Sequence, residues 1–206
     1  MRVLIFLLVV LQLGCGDLAI RRTPPPPPAE PPTPGDDGTG NPPDWTGCDT
    51  AWLGQYYNLD PSDPAVDDPE AVLELDDLDW WDAEHLAFQS VDTSLDFGTS
   101  WWPVDDGLED DPALFAVRWT AWIRAWSDTN LQIALGAASD AWVLIGGEVV
   151  ASISGSETFE PELIELGRDS GQARIEVRFA HRLGDEDGML FRVAGGDVTI
   201  CAPEFE

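Results

Sequence analysis

The stretch Phe115-Ala-Val-Arg-Trp-Thr-Ala-Trp-Ile-Arg-Ala-Trp126 decides the fold of this chain. Apolar and polar side chains alternate along it, and a period of two is typical of a β-strand with one buried face. We therefore expect a strand that packs one face on a core and carries its arginines on the other. The expected inner set is Phe115, Val117, Trp119, Ala121 and Ile123, and the expected outer set is Arg118, Thr120, Trp122 and Arg124.

Shorter stretches with similar alternation are separated by residues typical of turns, such as Gly146-Gly147 and Gly195-Gly196. Several short strands spaced by turns predict an all-β domain, built as an antiparallel sandwich or barrel. Only residues 82–87 indicate a short helical turn. The other predicted strands are residues 131–135, 142–145, 149–153, 175–179, 189–193 and 198–201.

The first 15 residues have the features of an export signal followed by a lipid anchor. Arg2 supplies a positive charge, residues 3–13 form an apolar run, and Gly14 precedes Cys15. This pattern predicts a lipoprotein signal peptide over residues 1–14, with Cys15 acylated at the start of the mature chain. Gln12 stands where a leucine is usual, so an ordinary signal peptide cleaved elsewhere is the alternative. No later stretch reaches the roughly 20 apolar residues of a membrane-spanning helix.

Prolines dominate the segment that follows the predicted anchor. Residues 24–28 are an unbroken proline run, and more prolines and glycines continue to Gly47. Such a composition favours extended polyproline II structure and makes a semi-rigid spacer. We therefore expect residues 15–47 to form a disordered, lipid-anchored linker. It would hold a folded domain of residues 48–206 away from the membrane.

The chain is strongly acidic, with a formal net charge of −29 and ten arginines but no lysine. Such a surface argues against binding of nucleic acid and against direct binding of anionic lipid. Cations, neutral sugars and basic proteins stay open as partners, beside the membrane that the lipid anchor would reach. Solubility alone explains most of the carboxylates. The acidic loops around residues 105–111 and 185–187 do not have the spacing of an EF-hand.

Three cysteines are an odd number, which requires an explanation in an exported protein. If Cys15 carries lipid, Cys48 and Cys201 are left as a pair in an oxidising compartment. The two residues lie at the ends of the predicted domain, where the termini of compact domains tend to meet. We expect a disulfide between them, and two unrelated free thiols are the alternative.

The block Phe115-Ala-Val-Arg-Trp-Thr also resembles the core strand of the protective-antigen-fourteen (PA14) domain, a β-sandwich module of bacterial toxins, glycosidases and yeast adhesins. Gly54-Gln-Tyr-Tyr-Asn58 resembles the opening Gly-x-Tyr-Tyr strand of that family, and residues 91–97 resemble its Asp…Ile-x-Phe segment. The later strand blocks follow in the family's order and spacing. The resemblance covers residues 52–194 and implies a PA14-like antiparallel β-sandwich.

The resemblance also implies where a ligand site would lie. In sugar-binding members, two adjacent aspartates in the loop before the strand of Trp142 hold a calcium ion, which in turn binds sugar hydroxyls. Ala138 and Ser139 stand at those positions here, and Asp140 is the single acidic residue in the loop. Calcium is thus the one cofactor that the resemblance leaves open, with Asp140 as its candidate ligand, although a lone carboxylate makes a poor calcium site.

Tryptophan is unusually frequent, with ten residues. An exposed indole can stack on a sugar ring or anchor a protein partner. Trp122 and Trp126 share the arginine-bearing face of the predicted strand, and together with Asp140 and Trp142 they are the candidate ligand-binding residues. In the doublet Trp80-Trp81 we expect one indole in the core and the other at the surface, as for neighbours on a strand.

No nucleophile elbow, zinc-binding histidine pair or phosphate loop occurs in the sequence, and the resembling family is an accessory to enzymes rather than an enzyme. We therefore expect a non-catalytic lipoprotein of the cell envelope, at the outer membrane or cell surface. Its β-sandwich would bind a glycan or another extracellular ligand. The alternative is a structural or assembly lipoprotein that docks onto another envelope protein and binds neither sugar nor metal.

Overall fold

The computed structural model describes residues 43–68, 73–99, 101, 114–156, 158–182 and 188–203. The predicted signal peptide, Cys15 and most of the predicted linker lie outside these residues, as do the acidic loops at 105–111 and 185–187. Within the described ranges, no helix is long and apolar enough to cross a membrane.

The described residues form an antiparallel β-sandwich, as the sequence predicted. One sheet has the order β2-β1-β4-β8-β5-β6, with β10 beside β4 on the edge that β1 also uses. The other sheet has the order β7-β5-β9-β3. The elements are β1 (Trp52–Asn58), α1 (Pro64–Asp67), β2 (Leu86–Asp92), β3 (Leu95–Gly98), β4 (Phe115–Ala125), β5 (Thr129–Ile145), β6 (Glu148–Ser156), β7 (Glu162–Arg168), β8 (Gly171–His181), β9 (Gly188–Gly195) and β10 (Val198–Cys201).

Strand β5 belongs to both sheets. Its first half pairs with β7 and β9, and its second half pairs with β6 and β8. The prediction of two separate strands, at 131–135 and 142–145, was wrong, because the small residues 136–139 interrupt the alternation without ending the strand. The chain passes from one sheet to the other at Ser139, whose φ of 108° is unusual for a residue other than glycine.

The alternation did not predict α1, β2, β3 or β7, although residues 91–97, at the end of β2 and in β3, belong to the block that resembles the family's Asp…Ile-x-Phe segment. Helix α1 does carry start signals, because the Asp63 carboxylate accepts a hydrogen bond from the Ala65 amide at 2.8 Å and Pro64 is the first helical residue. Strand β7 is an edge strand with exposed glutamates, and so it has no fully buried face to produce strong alternation. The predicted helical turn at 82–87 is a single 3-10 turn, Ala83–His85.

Strand β4 lies at the centre of its sheet, and its faces are divided as predicted. All five residues of the predicted inner set are fully buried between the sheets. They pack on the inner residues of β5, β8 and β9, which include Leu131, Ile133, Val177 and Phe191. Each large apolar side chain buried in this way contributes about 1.5–3 kcal/mol, so this cluster is the main source of stability.

One half-buried carboxylate joins three strands. Asp92 of β2 accepts hydrogen bonds from the Tyr56 hydroxyl of β1 at 2.9 Å and from the Trp119 indole nitrogen of β4 at 2.8 Å. Gly54 is required beside it, because a Cβ at that position would collide with the Asp92 carboxylate. This contact explains the pairing of Gly-x-Tyr-Tyr with a later aspartate in the sequence.

A second apolar cluster covers one end of the outer face of the β4 sheet. The segment between β1 and β2 folds over this end and packs Leu59, Val66, Trp80 and Trp81 against it. Both indoles of the doublet are buried, so the expectation that one would be exposed was wrong. Trp80 and Trp81 lie in a turn rather than a strand, so neighbouring side chains do not alternate between two faces.

A disulfide joins Cys48 to Cys201, whose Cα atoms are 5.7 Å apart, which confirms the predicted pairing. Cys201 is the last residue of β10, and Cys48 precedes β1, so the bond ties the two ends of the domain together. It closes a loop of 153 residues. Two unrelated free thiols are therefore excluded as the explanation for this pair.

The two tyrosines of the chain predict an unusual alkaline titration. Burial is the main cause that raises the pKa of both Tyr56 and Tyr57 above the ordinary value of 10.0, and the negative charge of Asp92 adds to the effect at Tyr56. Because the folded pKa is raised, the contribution to stability is fully present below pH 10 and is lost as the pH rises further. An absorbance titration should show no tyrosinate until the protein unfolds in alkali. A smooth titration centred near pH 10 in folded protein would contradict this burial.

The disulfide predicts a large loss of stability on its removal. Closing so long a loop contributes up to ~5 kcal/mol in the chain-entropy model. Cys201→Ser should therefore lower the melting temperature by roughly 10–20 °C, since 1 kcal/mol corresponds to about 2–4 °C in a domain of this size. The matched control is Cys15→Ser, which lies outside the domain and should leave melting unchanged. Two reactive thiols in the unreduced protein would contradict the bond.

Candidate binding site

The four predicted ligand-binding residues all belong to the outer side of the β4 sheet, but they lie at opposite ends of it. Asp140 pairs with Ala180 of β8, whereas Arg124, next to the two other tryptophans, pairs with Gln172 of the same strand. The offset of eight residues along β8 between Asp140 and Arg124 corresponds to about 26 Å. Trp142 pairs with Arg178 and Trp122 pairs with Arg174, an offset of four residues or about 13 Å. The structure therefore does not bring Asp140 and Trp142 together with Trp122 and Trp126.

Asp140 is completely buried and is fully engaged in hydrogen bonds. One carboxylate oxygen accepts from the Arg182 Nε at 2.6 Å, and the other accepts from the Ser154 hydroxyl at 3.0 Å and the Gly155 amide at 2.9 Å. The Arg182 guanidinium also donates to the backbone oxygens of Ala65 and Asp68, at 2.8 and 2.6 Å. The Asp140–Arg182 pair thus connects β5 and β6 with the end of α1.

This arrangement does not fit a calcium ion at Asp140. A guanidinium already occupies the space next to the carboxylate, and its positive charge would repel a second cation. In the ranges that the structure describes, no group of three or more histidine, cysteine or acidic side chains could hold a metal ion. The interpretation of Asp140 as a metal ligand has no support from its surroundings.

Trp142 lies under the segment that covers this end of the sheet. Its ring packs edge to face against Trp81 at a centroid distance of 5.8 Å, and only 4% of the residue is exposed. The Arg178 guanidinium lies 5.0 Å from the centre of the Trp81 ring and forms an ion pair with Glu176. The Trp142 indole is therefore part of the packing and does not reach the surface.

The opposite end of the same face is open and presents an aromatic surface. Trp126 is 49% exposed, its indole nitrogen donates to the Thr199 hydroxyl at 2.9 Å, and the Arg124 guanidinium lies 3.9 Å from the centre of its ring. Trp45 belongs to the same group, because the Arg124 guanidinium lies 5.7 Å from the centre of its ring and its indole nitrogen donates to the Gln172 side-chain oxygen at 3.1 Å. We call Trp45, Arg124, Trp126, Gln172 and Thr199 the tryptophan patch.

Trp122 lies next to the tryptophan patch, two residues before Arg124 on the same face of β4. It is half-buried, and its register neighbours are Arg174 of β8 and Cys201 of β10. Its indole nitrogen is buried without a hydrogen-bond partner in the structure. Of the four predicted residues, Trp122 and Trp126 are thus the two that the structure places together.

An open cleft of about 340 Å³ borders the tryptophan patch through Thr199. Residues of β3, β9 and β10 line it, together with Trp52 of β1. Trp52, Leu95 and Phe191 form its apolar floor. Its rim carries the hydroxyl-bearing residues Thr50, Thr93 and Ser94.

A second cleft, of about 330 Å³, lies at the covered end and has an acidic wall. Asp60, Asp63, Asp77 and Asp79 line it, together with His85. Two of these carboxylates have partners, since Asp63 accepts from Trp80 and Asp60 accepts from the backbone and hydroxyl of Ser62. The hydrogen bonds from Ser62 lower the pKa of Asp60. The hydrogen bonds within this cleft explain the positions of two of its carboxylates, and nothing among its described residues points to a ligand.

Sequence reasoning missed the partners of the four residues it selected. Trp45 belongs to the predicted linker, yet its side chain already packs on the domain, three residues before the predicted boundary at Cys48. The Asp-Trp-Thr triplet at residues 44–46, directly after the prolines, was the available signal. Arg182 follows a strand and lies 42 residues from Asp140, so local sequence patterns could not connect them.

No family model matches the sequence, and no curated protein matches it. Solved structures do match. The PA14 domain of the MpAFP antifreeze protein is 13% identical, with 80% of this chain and 96% of that chain covered and a TM-score of 0.50. The PA14 sugar-binding domain of an RTX adhesin is 16% identical, with 74% and 94% covered and a TM-score of 0.47.

A GH31 α-xylosidase from Xanthomonas citri is 10% identical, with a TM-score of 0.46 over 72% of this chain. This chain spans only 16% of the length of that enzyme. The match to the antifreeze-protein domain, over almost its whole length, shows the fold. The described residues have a PA14-like β-sandwich fold, as the resemblance in the sequence implied.

Proposed function

Starting from this PA14-like fold, we propose that the protein is a non-catalytic cell-envelope lipoprotein that displays its β-sandwich as a carbohydrate-binding module. Cys15 would carry the lipid, at the outer membrane or cell surface. Residues 15–47 would serve as the linker between membrane and domain. The glycan would bind at the tryptophan patch.

The exposed indole of Trp126 is the observation that carries the proposal. The carbon–hydrogen faces of sugar rings pack well on flat aromatic surfaces, and tryptophan offers the largest such surface among side chains. Although Arg124 covers one side of the ring, about half of Trp126 stays accessible. A bound sugar would therefore bury apolar surface that the folded chain leaves in water.

The neighbours of Trp126 supply the polar groups that a sugar requires. The exposed amide of Gln172 and the guanidinium of Arg124 both lie at the patch and can form hydrogen bonds with hydroxyl groups. Both side chains are already oriented, because Gln172 accepts from Trp45 and the Arg124 guanidinium lies against the rings of Trp45 and Trp126. Such prior ordering reduces the entropy lost on binding.

The adjoining cleft provides room for a second sugar unit. Its volume is near the lower end of the range of about 300–1,000 Å³ for small-molecule sites. An apolar floor with hydroxyl groups on the rim matches the two-sided chemistry of a pyranose. With a net charge of −29 on the chain, a neutral glycan is favoured over an acidic polysaccharide.

The same exposed tryptophan could instead anchor a protein partner, which is the docking function that the sequence left open. Interfaces of that kind are also rich in tryptophan and arginine. The hydroxyl-lined cleft beside the patch favours the sugar, because a protein-docking site has no need for it. A screen with purified glycans separates the two functions directly.

Substitution of Trp126 tests the proposal. We expect the full chain to bind at least one neutral glycan in an array, and Trp126→Ala to weaken that binding at least about tenfold, equivalent to ~1.4 kcal/mol. Isothermal titration with the best array ligand gives the affinity. Thermal melting of each variant checks that it is folded.

The matched control is Leu163→Ala, since Leu163 is 60% exposed but lies on β7 of the other sheet. Its affinity for the glycan should equal that of the unmodified chain. Failure of the unmodified chain to bind any glycan, with or without calcium, would refute the proposed function. Equal affinity of Trp126→Ala and the unmodified chain would show that the glycan does not bind at the tryptophan patch.

A further inference from the structure

Arg182 is unusual in this molecule because its charge is almost entirely inside the fold. Only 2% of the residue is exposed, and it is among the largest fully buried side chains. It directly follows β8 in the chain, and its side chain reaches into the junction of β5, β6 and α1. An isolated buried charge would be very unfavourable, so its surroundings must compensate for it.

Oxygen atoms provide the compensation in the part of the chain that the structure describes. The described hydrogen bonds of the guanidinium run to both Asp140 carboxylate oxygens and to the carbonyl oxygens of Ala65 and Asp68. One carboxylate and two backbone carbonyls are the kind of ligand set that also suits a hard metal cation. The structure therefore has an oxygen cage that contains a cation, and that cation is a side chain of the protein.

We propose that Arg182 is the built-in cation of this oxygen cage and takes the structural place that a calcium ion could have, so that folding does not require calcium. The guanidinium suits this role because it is planar, always charged and able to donate several hydrogen bonds at fixed angles. It cannot be removed by dilution or chelation, unlike a bound metal.

The cage also orders the elements around it. The last carbonyl groups of a helix have no partners within the helix, and Arg182 donates to two carbonyls at and after α1. On the other side, the amide of Arg182 donates to the Ser139 hydroxyl, at the residue with positive φ where β5 changes sheets. Arg182 is therefore a positioning residue for the junction of the two sheets and for the segment that covers Trp142.

The first test uses the unmodified full chain. Its melting temperature should be the same in excess EDTA and in millimolar calcium chloride, because the cation of the cage is covalently attached. A saturable rise of the melting temperature with calcium, reversed by EDTA, would overturn the proposal. This readout needs no sugar, so its outcome is independent of whether the glycan function is correct.

The second test removes the side chain. Arg182→Ala leaves Asp140 buried without its counter-charge, and we expect the melting temperature to fall by roughly 10 °C. Millimolar methylguanidinium should restore part of that loss, because it can refill the cage. The matched control, Arg192→Ala, removes an exposed arginine and should show neither the loss nor the recovery.

Arg182→Lys keeps the charge but loses the planar donor group, so it tests the proposal even if the alanine variant fails to fold. We expect it to melt below the unmodified chain and to remain insensitive to calcium. Melting equal to that of the unmodified chain would show that charge without the guanidinium geometry is sufficient, and would overturn the assignment. Absence of any recovery of folded Arg182→Ala by methylguanidinium would do the same.

Discussion

The architecture depends on one strand that belongs to both sheets. β5 runs through 17 residues, and it leaves the β7–β9 sheet and enters the β4 sheet at Ser139. A φ of 108° at a serine costs about 1–3 kcal/mol and persists only where the surroundings hold it. The surroundings here are the small buried residues before the corner and the Asp140–Arg182 pair directly after it. If the corner relaxed, the two inner faces would no longer meet, and the core around β4 would open.

The corner also determines which part of the outer face is accessible to solvent. At that end of the β4 sheet, Arg182 fixes α1, and the segment that contains α1 covers Trp142 with Trp80 and Trp81. At the far end no segment of this kind folds back among the described residues. There the chain enters the domain through Trp45 and leaves it at Cys201, and Arg124 and Trp126 lie between them at the surface. The outer face of the β4 sheet is therefore covered by a chain segment at one end and accessible to solvent at the other.

The sequence was most informative where a local pattern reports burial directly. The alternation in β4 predicted its buried face residue by residue, and the number and positions of the cysteines predicted the disulfide. The candidate site was predicted less well, because exposure depends on what lies above a side chain. Trp122 and Trp142 lie on outward-facing strand positions, and Trp126 directly follows β4 with the same spacing. The irregular segment between β1 and β2 covers Trp142, whereas Trp126 is exposed.

The scarcity of basic residues makes their placement informative. With a net charge of −29, an arginine at a random surface position would usually find a carboxylate nearby. Arg182 instead forms a buried ion pair with Asp140, and the Arg124 guanidinium lies against indole rings. Both uses depend on the flat, weakly hydrated guanidinium, which lysine does not have. A cation attached to the chain can hold the strained corner of β5 at any external calcium concentration. At the open end, the Arg124 guanidinium lies against the ring of Trp126, and about half of that residue stays exposed to solvent. The same kind of side chain therefore supports a buried corner at one end of the sheet and an exposed aromatic surface at the other.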